Sequence, residues 1–495
     1  MQLKDAEGPT PQQWLMLLGT ALLLRLAFYS GFFGSDEVSY TEAAFRLLDG
    51  NWTVASYVGS NRYGVNLPMA AFGAVFGRGE WVAAAYSMIC SLAEVALLAG
   101  LGGRLVGARA ALLGAWLLAL TPLHVNLAGR LAADAPMALT LTACFLLFFR
   151  AELQEASRGR AWGFLLAGLA AGWGFWIKPV AIYYLALFLL VPLLLARWRW
   201  SWLWLAVGFF AMVTANCALF ALLSGDAMFL FKTMAERRAS GYLEQELAGG
   251  AAMDAPWYYL VYLFGKVYHT LWLGLLAVWG LWATRRLALD PRRLLLLWAL
   301  GLLVAFSLMP VGFKPFTWVP KQTNYMSLFL APLSLLGGLA LVAAARWVWA
   351  VLVPPALLLG ALQQNQVTAF TANSKALVEL VRAEPDGIYW VSTNALRAAN
   401  FEALVREPLP QIRWVGDWTP GDKGRAFLDP QTLEWAQREP FRHLDQVPAC
   451  WQRLRSVQGR PEGIGPWVLQ QLPLPGVIQE RLRVAPAVLY SLEAC

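Results

Sequence analysis

Runs of about 20 apolar residues recur along most of this chain, and that is the length of helix that crosses a bilayer. Hydrophobic residues make up 58% of the sequence and charged residues 14%. Soluble globular proteins average roughly 45–50% apolar and 25% charged residues. We therefore predict a polytopic α-helical membrane protein. The net charge of +8 is interpreted as membrane topology, with no nucleic-acid partner.

The apolar runs predict about eleven transmembrane helices, followed by a region of different character. Residues 1–363 form the predicted transmembrane domain, and residues 364–495 form a predicted small soluble domain. The predicted spans lie near residues 13–33, 83–102, 110–124, 135–149, 161–177, 179–196, 201–223, 257–283, 294–310, 323–343 and 346–362.

Arginines in alternate short loops predict the orientation, because short basic loops stay in the cytoplasm. The N-terminus is then cytoplasmic, and the loops 34–82, 125–134, 224–256 and 311–322 and the C-terminal domain lie outside an inner membrane. Most acidic residues fall in those outer loops, so chemistry that uses carboxylates belongs on the outer face. The arginines are Arg104, Arg109, Arg150, Arg158, Arg160, Arg197, Arg199, Arg285, Arg286, Arg292, Arg293 and Arg346.

The region after residue 363 alternates helix and strand patterns, which predicts a small parallel or mixed α/β domain. The predicted elements are a capped helix at Asn373–Arg382, strands at Ile388–Val391, Ile412–Val415 and Ala487–Tyr490, and a helix at Ala395–Val405. Its two cysteines, Cys450 and Cys495, would lie in an oxidising compartment, where they can form a disulfide.

Two adjacent carboxylates, Asp36 and Glu37, follow directly on the first apolar run. The apolar pattern after them predicts a short amphipathic helix on the membrane surface, and a second such helix is predicted at Leu67–Phe76. A carboxylate there can remove a proton from a substrate hydroxyl. Alternatively, the two acids belong to an ordinary solvated loop.

A second outer loop contains Arg130 and Asp134, with Asp134 at the start of a span. An aspartate in that position can cap the helix, and Arg130, four residues earlier, can pair with it. Capping alone explains this aspartate, so a catalytic role needs support from elsewhere.

Cations collect at the same outer face. Lys178 ends the fifth span, and Lys321 and Tyr325 lie in the loop before the tenth. These side chains can hold a lipid phosphate, or the lysines can simply extend to the headgroups.

The order of these features resembles the integral-membrane glycosyltransferases of the C fold type (GT-C). The branch concerned contains the protein O-mannosyltransferases, the lipid A aminoarabinose transferases and the Rgt-type sugar transferases. The resemblance covers residues 34–179 and, less closely, 310–336, but not the C-terminal domain. The matching residues are Asp36, Glu37 and Tyr40, the small-residue stretch Gly103–Ala115, Arg130 with Asp134 and Pro136, Lys178, and Lys321 with Tyr325.

The resemblance implies an inverting transferase that moves a sugar from a polyprenyl phosphate to a hydroxyl of a lipid, glycan or protein. It also implies that a first-loop carboxylate is the general base. Many family members carry Lys-Pro-Pro in that loop, whereas this chain has Asn66-Leu67-Pro68, and Arg62 is the candidate for the missing cation. The candidate residues are thus Asp36, Glu37 and Asp134 for catalysis, Lys178, Lys321, Tyr325 and Arg62 for the donor phosphate, and Tyr40, Arg130 and Asn66 in support.

No cofactor is predicted. The histidines are His124, His269 and His443, and no two of them have the spacing of metal ligands. A divalent metal held by one histidine with Glu37 or Asp134 stays open as an alternative.

Two other classes of function compete with the transferase. A transporter or lipid flippase should carry ionisable residues deep within its spans, and Glu94 is the one acid that falls well inside a predicted span. A structural or regulatory membrane protein would not need Asp36, Asp134 and the cations to converge on one cavity. Convergence of those side chains is therefore the discriminating observation.

Overall fold

The computed structural model describes residues 8–55, 57–154, 158–239, 255–313, 316–319, 321–344, 347–433 and 439–493. Most of them are helical, as the apolar runs predict. The first helices are α1 (Pro11–Ala27), α2 (Glu37–Leu48), α3 (Tyr63–Phe76), α4 (Glu80–Leu101), α5 (Gly103–Val106), α6 (Ala108–Leu120), α7 (Pro122–Ala128), α8 (Asp134–Leu153), α9 (Arg158–Ile177), α10 (Ile182–Phe188), α11 (Val191–Leu195) and α12 (Leu203–Ser224). They are followed by α13 (Phe229–Ala239), α14 (Tyr258–Gly265), α15 (Val267–Thr270), α16 (Leu273–Ala283), α17 (Leu289–Leu296), α18 (Leu302–Leu308), α19 (Ser327–Val342) and α20 (Val348–Ala383).

Within the described ranges, six helical segments are long and apolar enough to cross a membrane. The pair α6 and α7, bent by 64° between Leu120 and Pro122, makes a seventh if it counts as one span. The prediction of a helical membrane protein with several spans is confirmed. The six segments are Glu80–Val106, Asp134–Leu153, Trp200–Ser224, Leu289–Leu308, Thr323–Val342 and Val348–Ala383.

Besides the bent pair α6 and α7, three further predicted spans are shorter or more broken than their apolar runs. Helix α1 ends at Ala27 rather than near residue 33, and the chain turns at Gly31, where φ is 64°. The run 179–196 divides into α10 and α11, and the run 257–283 divides into α14, α15 and α16, where Leu271 has φ of 54°. Hydropathy reports burial in lipid, but it does not report where the ladder of backbone hydrogen bonds breaks.

Small residues bring α6 and α19 into close contact. A side chain at Gly114 would lie 2.7 Å from the carbonyl oxygen of Ser334, and one at Gly338 would overlap the carbonyl of Ala110. Glycines allow two helix backbones to approach in this way. The small-residue stretch found in the sequence therefore fixes α19, and the turn that leads into α19 carries Tyr325.

The end of α1 meets the end of α7. The backbone N–H of Gly31 donates to the carbonyl of Gly129 at 3.0 Å, and Gly31 forms an isolated parallel bridge with Arg130. One of the joined segments continues to Asp36 and the other to Asp134. This bridge places the two acidic loops side by side.

Helix α20 runs without a break from Val348 through the predicted boundary at residue 363 to Ala383. A separate capped helix beginning at Asn373 is therefore wrong. The side chain of Asn373 instead donates to Asp429 Oδ1 at 3.0 Å and to the carbonyl of Ala485 at 2.8 Å. Those contacts come from the C-terminal region, so the local sequence does not reveal them.

The C-terminal region contains a mixed sheet, as predicted, with strand order β4–β3–β5–β7–β6. Strand β3 is parallel to β4 and β5, and β7 is antiparallel to β5 and β6. A separate hairpin of β1 (Pro310–Phe313) and β2 (Phe316–Trp318) precedes α19. The sheet strands are β3 (Tyr389–Val391), β4 (Ile412–Trp414), β5 (Arg425–Leu428), β6 (Gln452–Val457) and β7 (Ala487–Ser491), and the helices are α21 (Thr393–Val405), α22 (Pro430–Leu433), α23 (Ile464–Gln471) and α24 (Gly476–Leu482).

Alternate residues of β3 pack on opposite faces of this sheet. Tyr389 and Val391 lie in one apolar cluster with the end of α20, whereas Trp390 lies in a second cluster on the other face. Cys450 forms a disulfide, and Cys495, the partner that we predicted for it, lies outside the described residues.

The C-terminal region also contacts the loop that carries the acidic pair. The ring of Phe32 stacks on Phe401 of α21 with centroids 4.7 Å apart, and Arg397 donates to the carbonyl of Gly34 at 3.4 Å. Phe33 stacks on Phe370 of α20 at 5.0 Å. The loop that carries Asp36 and Glu37 therefore packs against both α20 and α21.

Candidate active site

Asp36 lies directly before α2, half-buried, and its side chain does not cap that helix. Its carboxylate accepts a hydrogen bond from the Tyr57 hydroxyl at 2.6 Å and one from the Tyr40 hydroxyl at 3.3 Å. Arg62 donates in turn to the Tyr40 oxygen. Tyr40 and Arg62 were predicted to belong to the site, whereas Tyr57 was not.

The pKa of Asp36 is lowered from its ordinary value. Burial raises this pKa, but the positive charge of Arg62 and the hydrogen bond from Tyr57 outweigh that effect, and the charge of Lys178 adds to it. Asp36 therefore stays ionised and can accept a proton.

Glu37 has a different environment, although it is the next residue. Its side chain is buried and accepts a hydrogen bond from the backbone N–H of Phe33 at 2.6 Å. Burial raises the pKa of Glu37, and its backbone hydrogen bonds offset only part of that increase. Neighbouring carboxyls whose pKa values move apart are typical of sites that divide acid and base roles.

Asp134 is the first residue of α8, but its side chain makes no capping hydrogen bond. Its Oδ1 instead accepts from the Lys178 ammonium at 2.5 Å and from the Asn324 side chain at 3.0 Å. The capping interpretation is therefore wrong, because two distant side chains bind this carboxylate. The Lys178 ammonium also lies 5.4 Å from the centre of the Tyr325 ring.

Arg130 does not form an ion pair with Asp134 among the described contacts. Its guanidinium lies 4.6 Å from the centre of the Phe33 ring. The pair predicted from their four-residue spacing is wrong, because the chain from 129 to 133 is not a regular helix. Burial lowers the pKa of Arg130, and the negative charges of Glu37 and Asp134 offset part of that decrease.

A close helix contact joins the two halves of the site. A side chain at Gly64 on α3 would lie 2.7 Å from the backbone nitrogen of Ile177 on α9. Gly64 follows Arg62 by two residues, and Ile177 directly precedes Lys178. The absence of a side chain at Gly64 therefore brings the Arg62 and Lys178 segments together.

Lys321 and Asn66, two further site residues predicted from the sequence, are both buried. Lys321 is completely buried, and its ammonium lies 5.6 Å from the centre of the Trp318 ring. Asn66 is also buried and donates to the carbonyl of Ser60 at 2.7 Å, which holds the turn before α3.

The described part of the chain contains no group of three or more His, Cys, Asp or Glu side chains that could hold a metal ion. His269 lies within the run 257–283, where its Nδ1 atom and the Tyr262 hydroxyl form a hydrogen bond and its ring lies 4.1 Å from that of Tyr268.

A family model and a curated relative each match about a third of the chain. The model of the dolichyl-phosphate-mannose-protein mannosyltransferase family matches residues 64–220. The undecaprenyl phosphate-alpha-4-amino-4-deoxy-L-arabinose arabinosyl transferase of Edwardsiella ictaluri (strain 93-146) is 27% identical over 173 residues. That match spans 33% of this chain and 31% of the relative, which is about a third of the relative's length.

Solved structures match nearly the whole chain. ArnT from Cupriavidus metallidurans bound to undecaprenyl phosphate superposes with a TM-score of 0.56 and 16% identity, over 98% of this chain and 99% of that chain. The archaeal oligosaccharyltransferase AglB from Archaeoglobus fulgidus, in complex with an inhibitory peptide and a dolichol-phosphate, gives a TM-score of 0.53 and 12% identity, over 89% of this chain and 72% of that chain.

The matches agree with the motifs in the sequence. The family model covers Asp134 and Lys178, and the structural matches cover the C-terminal region as well. The resemblance inferred from the sequence is confirmed: this chain has the fold of the C-type (GT-C) integral-membrane glycosyltransferases.

Proposed function

We propose that this protein is an inverting hexosyl- or pentosyltransferase that takes a sugar from a polyprenyl-phosphate donor. The acceptor is a hydroxyl of a lipid, a glycan or a protein. The observation that carries the proposal is the half-buried, ionised Asp36 in a cluster that also contains Arg62, Asp134 and Lys178. The fold shared with ArnT and AglB supports it, since both of those structures were solved with a polyprenyl-type lipid phosphate.

In the proposed reaction, the acceptor oxygen attacks the anomeric carbon of the sugar from the side opposite the phosphate. The new carbon–oxygen bond forms as the bond to the phosphate oxygen breaks, so the configuration inverts. The hydroxyl proton passes to the Asp36 carboxylate, and the bonding electron pair leaves with the polyprenyl phosphate. Asp36 is suited to this step because it is ionised and partly exposed.

The cations of the cluster would bind the donor phosphate. The Lys178 ammonium has three N–H donors, and Asp134 takes one of them, so others remain for a phosphate oxygen. Arg62 donates to the Tyr40 hydroxyl beside Asp36, and the Tyr325 ring lies 5.4 Å from the Lys178 ammonium, so both residues belong to the same cluster. Lys321 is assigned to the same phosphate from the sequence resemblance.

A transfer assay tests this proposal. The purified full-length protein in lipid vesicles, given a radiolabelled polyprenyl-phosphate sugar and membrane fractions, should move the label to an acceptor with inverted configuration. Free polyprenyl phosphate should appear in equal amount. Passage of the labelled donor across the bilayer without covalent transfer would instead support a transporter or flippase.

One observation favours that alternative. Arg25, Glu94 and His124 are buried between α1, α4 and α7, and Arg25 Nη2 lies 2.8 Å from His124 Nδ1. His124 Nε2 lies 3.1 Å from Glu94 Oε2. Ionisable residues inside a membrane protein mark ion pathways by default. These side chains bind one another, however, so a structural role in holding α1, α4 and α7 together also explains why they are buried there.

We propose that the cluster and the C-terminal domain lie outside the cytoplasm, with the N-terminus inside. The seven segments named above, together with α1, α9 and the broken runs 179–196 and 257–283, would make eleven crossings, and an odd number places the two termini on opposite sides of the membrane. The proposed division into a transmembrane domain, 1–363, and an extracytoplasmic domain, 364–495, follows the same topology. The acidic loop contacts Phe370 and Phe401, which supports a common side for the cluster and the C-terminal domain.

Reporter fusions test this topology. A reporter that is active only outside the cytoplasm should work when it is fused after Asp386, beyond the end of α20. It should be silent when it is fused near residue 288, beside Arg285 and Arg286. Activity at residue 288 and silence at residue 386 would reverse the proposed orientation.

A further inference from the structure

The C-terminal region contains a cavity of about 480 Å³ that is separate from the acidic cluster. Its polar lining includes Arg460 and Arg483, with Gln458 and Gln479, and its apolar lining includes Leu469 and Leu482. Among the described residues that line it, none is acidic. The cavity therefore combines positive charge with an apolar wall.

The two arginines are available to a ligand. Both are exposed, and neither side chain has a hydrogen bond or an ion pair with any other described residue. Other arginines of this region do have partners, since Arg455 and Arg425 both bind Glu384. Two unpaired guanidinium groups in one cavity favour an anion, and guanidinium geometry suits a phosphate.

The depth of the cavity follows from α20. About 20 residues of helix cross the hydrocarbon core. A helix that enters at Val348 therefore reaches the opposite headgroups near Val367. Asn365, which lines the cavity, is at that level, and its side chain donates to the carbonyl of Leu482 at 3.4 Å.

A second contact, made by the neighbouring residue Gln364, indicates on which side of the membrane the cavity lies. The side chain of Gln364 accepts from the backbone N–H of Gly465 at 2.6 Å and donates to the carbonyl of Tyr29 at 2.5 Å. This amide joins the start of α23 to the segment just after α1. The cavity is thus on the side of the membrane that carries Asp36.

The helices beside the cavity expose apolar side chains. On α23, Ile464 and Trp467 are exposed, the latter by 62%. On α24, Val477 and Ile478 are exposed, the former by 67%. Tryptophan and aliphatic residues next to arginines at headgroup depth are typical of a surface that contacts lipid.

We propose that the cavity binds the phosphate of an anionic membrane lipid through Arg460 and Arg483, while the exposed apolar residues of α23 and α24 contact the acyl region. The lipid ties the C-terminal region to the bilayer. This site does not depend on the glycosyltransferase proposal, because it contains none of the residues assigned to the reaction.

Native mass spectrometry of the full-length protein in detergent tests the site. Phosphatidylglycerol and phosphatidylcholine with the same acyl chains are titrated separately, and the apparent Kd of the first bound lipid is measured. The double variant Arg460→Gln/Arg483→Gln should raise the Kd for phosphatidylglycerol by about tenfold or more, because two charges next to the lipid phosphate are lost. The Kd for phosphatidylcholine should change little, since its headgroup is neutral overall.

The matched control is Arg413→Gln/Arg442→Gln, which removes the same charge from exposed residues of the same region that do not line the cavity. It should leave the Kd for phosphatidylglycerol unchanged. An equal loss in both double variants, or no loss in the cavity variant, would overturn the proposal. Displacement of the lipid by an equal concentration of inorganic phosphate would show a site for free anions and would overturn it as well.

Discussion

Asp36→Asn is expected to lower the rate of sugar transfer by about 10²–10⁴-fold, the usual loss when a positioned base is removed. The amide cannot accept the acceptor proton, but it can keep the hydrogen bond from Tyr57, so the fold should be retained. Single-turnover rates with saturating donor measure the effect. Donor binding and the unfolding temperature should stay close to those of the wild type.

Glu42→Gln is the matched control, because Glu42 is an exposed carboxylate on the same helix, α2. It should leave the transfer rate almost unchanged. An Asp36→Asn enzyme with near-normal turnover on a purified donor would remove Asp36 from the mechanism, and Asp134 would become the first candidate for the base.

The pH dependence should follow the lowered pKa of Asp36. A base with a depressed pKa is ionised above that pKa and loses activity only as the pH falls through it. The acid limb of kcat/KM should therefore lie below the ordinary carboxyl range. Tyr57→Phe removes a hydrogen bond that lowers this pKa, so the limb should move to higher pH. A limb that does not move would show that Asp36 is not the titrating base.

The sequence was informative where the chemistry is local. The acidic pair, the short helix after it and the strands at Tyr389–Val391 and Ala487–Ser491 follow from composition and periodicity over a few residues. The cation at Lys178 also followed from sequence, since its place at the end of a span and its match to a motif both lie within one short segment.

The partners of the site residues did not follow from the sequence. Tyr57 reaches Asp36 across 21 residues, and Asn324 reaches Asp134 across 190. Such pairs depend on how the loops pack, and a lone tyrosine or asparagine gives no signal of its own. Gly64 was a clue to the packing of the Arg62 segment on the Lys178 segment, since a glycine in an apolar helix indicates a close approach of two backbones.

The interpretation of Asp134 as a cap failed for a related reason. Its position before Pro136 fits a helix start, and the helix does begin there. A buried carboxylate binds whichever donors offer the stronger interaction, and the charged Lys178 ammonium is a stronger partner than a backbone N–H. The sequence predicted the start of the helix at this residue but not the side chains that bind its carboxylate.

Lys178→Met is expected to have two separable effects. The first is structural: Asp134 and Lys178 are both 7% exposed, and removing one partner of a buried ion pair costs about 3–5 kcal/mol of stability. The second is functional: a charge-assisted contact to the donor phosphate contributes about 1.5–3 kcal/mol, so the KM for the donor should rise tenfold or more. Thermal unfolding and initial rates over a range of donor concentrations measure the two effects.

The double variant Lys178→Met/Asp134→Asn distinguishes these effects. It removes both charges, so no buried carboxylate is left without its ammonium, and most of the lost unfolding temperature should return. The weak use of the donor should persist, because the phosphate still lacks its cation. If donor use returned together with stability, Lys178 would act only by neutralising Asp134. The phosphate would then have to be held by Arg62, Lys321 and Tyr325 alone.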